Sequence, residues 1–178
     1  MDAVLEIVPY NADWPQVFLA ERDRIAAVMG ALALRIDHNG STSVPGLDAK
    51  PIVDIQVSVQ RLQPIEAYAP QLAQLEYVHV PHPDDAFCPF FHRPAAWPHT
   101  YHVHVVQTGG DEERRTLAFR DYLRDHGEVA REYADLKRRL ASEYNATELS
   151  SQQYADAKTP FITRVIARAL SEGYPREL

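Results

Sequence analysis

Residues 52–59 alternate between two sets of side chains, and this alternation limits the fold more than any other feature of the chain. Because strand side chains repeat every second residue, the segment is predicted to be a strand with one core face and one polar platform. The core face carries Val53, Ile55, Val57 and Val59, and the other face carries Ile52, Asp54, Gln56 and Ser58. Residues 101–106 alternate in the same way and place His102 and His104 together on one face.

Helical patterns flank these two strands. The run Asp13-Trp14-Pro15-Gln16 has the form of a helix start with Asp13 as its cap, and a helix is expected from there to about Gly30. A short strand is predicted over residues 31–37 and a helix over residues 63–75. The proline-rich residues 81–98 are predicted to be a long, stiff loop with aromatic anchors. Apolar steps of three and four residues predict another helix over residues 129–144, and Thr159-Pro160 is predicted to begin the last helix.

This order of elements predicts an α+β fold, because the strands come first and helices follow at the end of the chain. A length of 178 residues is enough for one domain with a sizeable core. We expect a single domain over residues 1–178, with an α/β core at residues 1–110 and C-terminal helices at residues 111–178.

The composition disfavours several classes of function. The chain has 18 Lys and Arg against 25 Asp and Glu, a net charge of −7, which disfavours binding to long nucleic acids because phosphate neutralisation supplies most of that affinity. A single cysteine, Cys88, rules out an internal disulfide and favours a reducing compartment. The first ten residues lack the pattern of a signal peptide, and no apolar run approaches the ~20 residues that span a bilayer. A cytoplasmic location with no membrane partner is expected.

The turn Gly40-Ser41-Thr42 and the acid Asp54 are the first candidate site. Glycine lets backbone amides approach a phosphate closely, the two hydroxyls add donors, and a carboxylate oxygen suits a divalent metal. Lys50 and Arg93 are candidate cations for the same phosphate. The alternatives are a turn that only connects two elements, a solvated Lys50, and an Arg93 that lies over an aromatic ring.

The histidine pair is the second candidate site. His102 and His104 point the same way, and imidazole suits Zn, Mn or Fe or a general base near neutral pH. The alternative is a pair of half-buried histidines that donate to nearby carbonyls. Six of the eight histidines lie between His79 and His104, and this concentration favours a site.

At these motifs the chain resembles the GrpB family, whose members are similar to the minimal nucleotidyltransferase, or DNA polymerase β-like, fold. The matching stretches lie at residues 10–15, 40–55, 102–106, 119–124 and 154–158. The resemblance implies a mixed sheet with flanking helices and a C-terminal helical segment. GrpB-like domains also resemble a segment attached to some dephospho-CoA kinases, which suggests a nucleotide-related role.

The resemblance also implies roles for individual residues. Gly40 and Ser41 match the turn that holds a triphosphate, and Asp54 matches the first metal-binding acid. Gln56 stands where the nucleotidyltransferase fold has a second acid, and His102 or His104 stands where that fold has a third. A neutral glutamine cannot bridge two Mg2+ ions as a carboxylate does, so one divalent ion (Mg, Mn or Zn) is expected at Asp54, His102 and His104, with a transition metal favoured.

Three functions remain open from the sequence. The first is a nucleotidyltransferase-like enzyme, with Asp54 and His104 as catalytic residues, that transfers a nucleotidyl group to a small acceptor. It would bind a nucleoside triphosphate or another small phosphate ligand through Gly40, Ser41, Thr42, Lys50 and Arg93. The second is a non-catalytic nucleotide-binding or regulatory module. The third is a metal-dependent hydrolase that uses the histidine pair. The sequence predicts no particular oligomeric state.

Overall fold

A computed structural model describes residues 5–147 and 151–176. Its centre is a mixed five-stranded sheet in the order β1-β2-β5-β4-β3. The β2–β5 pair is parallel, and the other neighbouring pairs are antiparallel. The strands are β1 (Arg35–Asn39), β2 (Val53–Val59), β3 (Val78–His79), β4 (Phe90–Arg93) and β5 (Tyr101–Gln107).

Helices cover both faces of this sheet, so the predicted α+β class is confirmed. The helices are α1 (Trp14–Met29), α2 (Ala69–Ala73), α3 (Asp111–Asp125), α4 (Gly127–Thr147) and α5 (Ser151–Ser171). On one face, α1 and α2 pack on the apolar side chains of β2 and β5 around Ile55 and Val103. A second apolar cluster joins α3, α4 and α5 to the segment that holds Val44 and Leu47. No helix in the described part of the chain is both long and apolar enough to cross a bilayer.

The register of the parallel pair β2–β5 positions the candidate site. Asp54 lies opposite His102, and Gln56 lies opposite His104. The predicted alternation of residues 52–59 is present, but the second face is not an open platform. Gln56 and Ser58 are completely buried, because α3 lies across this face and Thr116 donates a hydrogen bond to Gln56 Oε1. Only the beginning of the polar face, at Asp54, opens towards solvent.

Several predicted boundaries are wrong. Residues 81–98 are not one long loop, because they contain β4, which pairs with β5 in antiparallel register. Residues 63–75 form a short 3-10 turn at Ile65–Ala67 and the brief helix α2 in place of one long helix. The first strand begins at Arg35 and not at residue 31, since a 3-10 turn occupies Gly30–Leu32. Residues 1–4, the start of the segment used to judge a signal peptide, lie outside the described residues.

The ends of two helices also differ from expectation. At the start of α1 the Asp13 side chain makes no capping hydrogen bond, and Asn11 Oδ1 accepts from the Asp13 N–H at 2.8 Å. The last helix begins at Ser151 and runs through Pro160, which was expected in its first turn. The additional turns contain Tyr154, whose side chain is 1% exposed and packs on α4. Tertiary burial therefore outweighs the local preference of proline for a helix start.

Candidate functional site

The turn after β1 brings backbone directly against Asp54. Gly40 has a φ of +64°, and a Cβ atom at this position would lie 2.2 Å from Asp54 Oδ2. Both the backbone conformation and the close approach require glycine. Ser43 Oγ donates to Gly40 O at 2.6 Å, and Arg124 Nη2 donates to Ser43 O at 2.9 Å. The turn is thus held from α3 as well as by its own hydrogen bonds.

The two hydroxyls of the turn have different environments. Ser41 Oγ accepts a hydrogen bond from Lys137 Nζ at 2.9 Å and lines a cleft. Thr42 also lines this cleft, but it is almost fully buried and its Oγ1 lies 3.0 Å from His38 Nε2. Burial lowers the pKa of His38 to about 4, so this imidazole is neutral at physiological pH. Thr42 is therefore already engaged, and Ser41 is the hydroxyl better placed for a ligand.

Asp54, His102 and His104 form a compact group of oxygen and nitrogen donors. One donor atom from each lies within 4.8 Å of the others. Asp54 Oδ1 is 3.4 Å from His102 Nδ1 and 3.7 Å from His104 Nε2. The cause is the sheet register, because His102 lies opposite Asp54 on the neighbouring strand and His104 follows on the same face. One carboxylate and two imidazoles form a set that suits a single transition-metal ion.

The electrostatics of this group couple the acid to the histidines. Burial by itself raises the pKa of Asp54, but the hydrogen bonds and charges of His102 and His104 lower it well below its usual range. Burial likewise opposes the charged form of His104, yet hydrogen bonds with Asp54 and Cys88 raise its pKa overall. The carboxylate is thus ionised and available as a ligand. Cys88 Sγ lies 3.8 Å from the other ring nitrogen of His104.

Three lysines surround the cleft beside these donors. Lys50 Nζ lies 4.5 Å and Lys158 Nζ 4.4 Å from the centre of the Tyr154 ring. Lys137 Nζ donates to Ser41 Oγ and to Asp48 O. No salt bridge joins these ammonium groups to a carboxylate of the described residues. The cleft therefore concentrates positive charge in a chain whose net charge is −7.

Burial in the cleft disfavours the charged forms of these amines. Burial and then the charge of Lys158 lower the pKa of Lys137 to about 7. Burial and then the charge of Lys50 lower the pKa of Lys158 to about 8. The pKa of Lys50 is lowered as well, again mainly by burial. An anion between the amines would reverse these shifts, because it would favour their protonated forms.

The cleft has a volume of about 460 Å³, within the ~300–1,000 Å³ of typical small-molecule sites. The Asp54 group and the three lysines lie in its wall together with Ser41 and Thr42. The remaining wall is largely aromatic and imidazole, formed by Phe90, Trp97, His99 and Tyr154.

Arg93 is not brought to this cleft, so the expectation that it neutralises a phosphate there requires correction. Alternation along β4 places it on the opposite side of the sheet from His92. There its Nη2 donates to Glu21 Oε2 at 3.0 Å, and its guanidinium lies 4.6 Å from the Tyr101 ring centre. Arg93 therefore has the alternative role stated from the sequence, a cation over an aromatic ring. It also forms a buried ion pair with Glu21.

Gln56, which the resemblance aligned with an acid, lies behind the site. Its side chain is completely buried, and Oε1 accepts hydrogen bonds from Asn39 Nδ2 at 3.1 Å and from Thr116 Oγ1. Because this oxygen already has two donors, it is occupied by structural contacts. Among the residues that the structure describes, the metal-binding group has one carboxylate, Asp54, where a two-metal site needs several.

Sequence reasoning missed Lys137. The chain has only three lysines among its 18 basic residues, and all three line the same cleft. That scarcity was the available signal, because all the others of these 18 residues are arginine. Tyr154 was also missed, although it lies in one of the stretches that carried the resemblance.

Comparison with known proteins gives consistent matches over nearly the whole chain. A family model described as GrpB protein matches residues 4–168. The chain is 38% identical over 171 residues to UPF0157 protein BH1888 of Halalkalibacterium halodurans. The match covers 94% of this chain and 84% of that protein. The chain is also 29% identical over 184 residues to a protein of Mycobacterium leprae named dephospho-CoA kinase, covering 86% of this chain but 44% of that protein.

A solved structure has the same arrangement of sheet and helices. The crystal structure of conserved protein GrpB from Enterococcus faecalis superposes with a TM-score of 0.83 at 28% sequence identity. The match covers 94% of this chain and 98% of that chain.

Proposed function

The chain belongs to the GrpB family, and on that premise we propose that its cleft binds a nucleotide or another small phosphate ligand together with one divalent metal ion. The observation that carries the proposal is the convergence of all three lysines and the Asp54, His102 and His104 group on one cleft. Phosphates need cationic donors, and a metal needs an anionic oxygen with further ligands.

The three lysines of the cleft support a polyanionic ligand. Lys50 and Lys158 both lie close to the Tyr154 ring, and the charge of Lys50 lowers the pKa of Lys158 after burial does, so the two ammonium groups repel each other when both are protonated. A phosphate group between them would offset that repulsion. Lys137 uses two of its three N–H groups on Ser41 and Asp48, which leaves one for a ligand. The Gly40-Ser41 turn adjoins these amines.

The group of Asp54, His102 and His104 fits one metal ion better than two. Asp54, His102 and His104 offer one oxygen and two nitrogens, a mixture that favours Zn or Mn over Mg. When bound, such an ion would polarise a phosphoryl oxygen as a Lewis acid. The residues themselves supply the anionic ligand, the orientation of the imidazoles and the positive charge that holds the phosphates.

Nucleotidyl transfer to a small acceptor is the enzymatic form of the proposal. In that reaction an acceptor hydroxyl gives its proton to a base, and its oxygen forms a bond to the α-phosphorus. The bond from that phosphorus to the α–β bridging oxygen breaks, and pyrophosphate leaves. The similarity to part of a protein named dephospho-CoA kinase supports a nucleotide-related role. Gln56 favours a second candidate, a binding or regulatory module without turnover. A neutral, buried glutamine at this position leaves Asp54 as the carboxylate of the site.

The test is calorimetric titration of the protein with Zn2+ or Mn2+ and, separately, with ATP. Asp54→Ala is expected to weaken metal binding at least about tenfold, whereas the exposed Asp23→Ala, the matched control, is expected to leave it unchanged. Lys50→Ala with Lys158→Ala is expected to remove ATP binding and to spare the metal.

Equal metal binding by wild type and Asp54→Ala would contradict the metal site, and unchanged ATP binding by the double lysine variant would contradict the phosphate site. Pyrophosphate release with a panel of small acceptors separates the enzyme from the binding module. Stoichiometric metal without any nucleotide affinity would favour the hydrolase alternative.

A further inference from the structure

Trp97 is exposed at the wall of the cleft. Its side chain is 41% exposed, although burial of a tryptophan side chain away from water is strongly favourable. The described residues expose several other large hydrophobic side chains, but Trp97 is the one of these that lines the cleft shared with the three lysines. An exposed aromatic ring in the wall of a cleft offers a flat surface to a ligand.

The loop that carries Trp97 is fixed at its base. Thr100 N–H donates to Arg93 O at 2.8 Å, and His92 Nδ1 donates to Pro94 O at 3.0 Å. The His99 ring stacks on His92 with centres 3.9 Å apart and meets Trp97 at 5.1 Å in an edge-to-face arrangement. The indole is therefore presented by a braced loop, and a ligand would lose little affinity in ordering it.

The aromatic wall continues from Trp97 to the metal-binding group. Phe90 also lines the cleft, and its ring centre lies 4.9 Å from that of His102 and 5.1 Å from that of His104. A ligand that fills the cleft thus meets flat apolar rings along one wall and ammonium groups along another. That combination matches a planar ring joined to a chain of phosphates.

We infer that Trp97, supported by His99, is a stacking subsite for the base of a nucleotide, so that the cleft selects nucleoside polyphosphates over inorganic polyphosphate. The inference rests on the proposed function, because it assumes that the lysines hold phosphates. Base stacking on an aromatic side chain is independent of metal and of phosphate contacts, and its loss typically weakens binding about tenfold or more.

The experiment compares ATP with inorganic tripolyphosphate as probes, by titration calorimetry in one metal-containing buffer. Wild type is expected to bind ATP at least about tenfold more tightly than tripolyphosphate. Trp97→Ala is expected to lose this preference while its affinity for tripolyphosphate stays unchanged, and Trp97→Phe is expected to retain most of it. In a Trp14→Phe background Trp97 is the sole tryptophan, and its fluorescence is expected to be quenched by ATP and not by tripolyphosphate.

The outcomes separate this inference from the proposed function. Equal affinity of wild type for the two probes, or an equal loss of both in Trp97→Ala, would overturn the stacking subsite and leave the phosphate site in place. Binding of neither probe to wild type would overturn the proposed function and the subsite with it.

Discussion

Gly40 and Asp54 are packed so closely that a single added carbon at position 40 would overlap the carboxylate, 2.2 Å from Oδ2. The residues lie on different elements, the turn after β1 and the strand β2. A displacement of the phosphate-binding turn of the proposed site would therefore also displace its metal-binding acid.

Replacement of Gly40 by alanine is expected to destabilise the protein and to displace Asp54. Gly109→Ala is the matched control, because Gly109 also has a positive φ, +70°, but has no atom within 4 Å of the added carbon. The control is expected to cost about 1 kcal/mol in the free energy of unfolding, and Gly40→Ala on the order of 1–3 kcal/mol more, as measured by urea denaturation. Metal affinity is expected to fall in Gly40→Ala only. Equal losses in the two variants would show that the close approach to Asp54 is unimportant.

Anion binding is expected to weaken as the pH rises through about 8. Protonated Lys158 and Lys137 attract phosphate, and in the free protein their pKa values are lowered to about 8 and about 7. A bound anion raises both values, so binding takes up protons in the range from about pH 7 to about pH 9. Calorimetry of tripolyphosphate in buffers of different ionisation enthalpy measures this uptake. Lys158→Arg keeps the charge without titrating and is expected to show less uptake, whereas identical uptake would contradict a role for Lys158.

His99 is expected to orient His102 for metal binding. His99 Nδ1 lies 3.2 Å from His102 Nε2, while His102 Nδ1 faces Asp54. If Nδ1 of His102 binds the metal, its Nε2 carries the proton and donates to His99. His99→Ala is therefore expected to lower Zn2+ affinity about 10–100-fold, as measured by competition with a chromophoric chelator in the absence of nucleotide. His82→Ala, at an exposed position, is the control; equal affinities in the two variants would refute the positioning role.

Arg93 is expected to matter for stability and not for the ligand. Its ion pair with Glu21 is buried, at 12% and 2% side-chain exposure. Arg93→Ala leaves the buried Glu21 carboxylate with Arg24 and the Tyr77 hydroxyl as its partners, and the loss is expected to cost about 3 kcal/mol in the free energy of unfolding. Arg24 pairs with the same carboxylate from an exposed position, 48% exposed, and Arg24→Ala is expected to cost less than about 1 kcal/mol. Folded Arg93→Ala is expected to bind ATP as wild type does. A loss of ATP affinity at unchanged stability would place Arg93 in the ligand site after all.

Much of the framework followed from local pattern. The alternation of residues 52–59 and 101–106 gave two strands and the shared face of His102 and His104, because side-chain direction along a strand depends only on sequence position. The helix from Trp14 and the helical C-terminal third followed from apolar spacing in the same way. The strand β4 was missed, since the prolines around it resemble a loop.

The sequence by itself determined which residues can bind a metal or a phosphate and which side chains share a face of a strand. Only the tertiary structure decided that Lys137, 96 positions from Ser41, hydrogen-bonds this hydroxyl, and that Lys50 and Lys158 both lie close to the Tyr154 ring. It also decided that Arg93 faces Glu21 and that α3 buries Gln56. The physical reason is that the packing of helices on a sheet is set by the burial of apolar surface between distant segments, and periodicity within one segment carries no information about its partner.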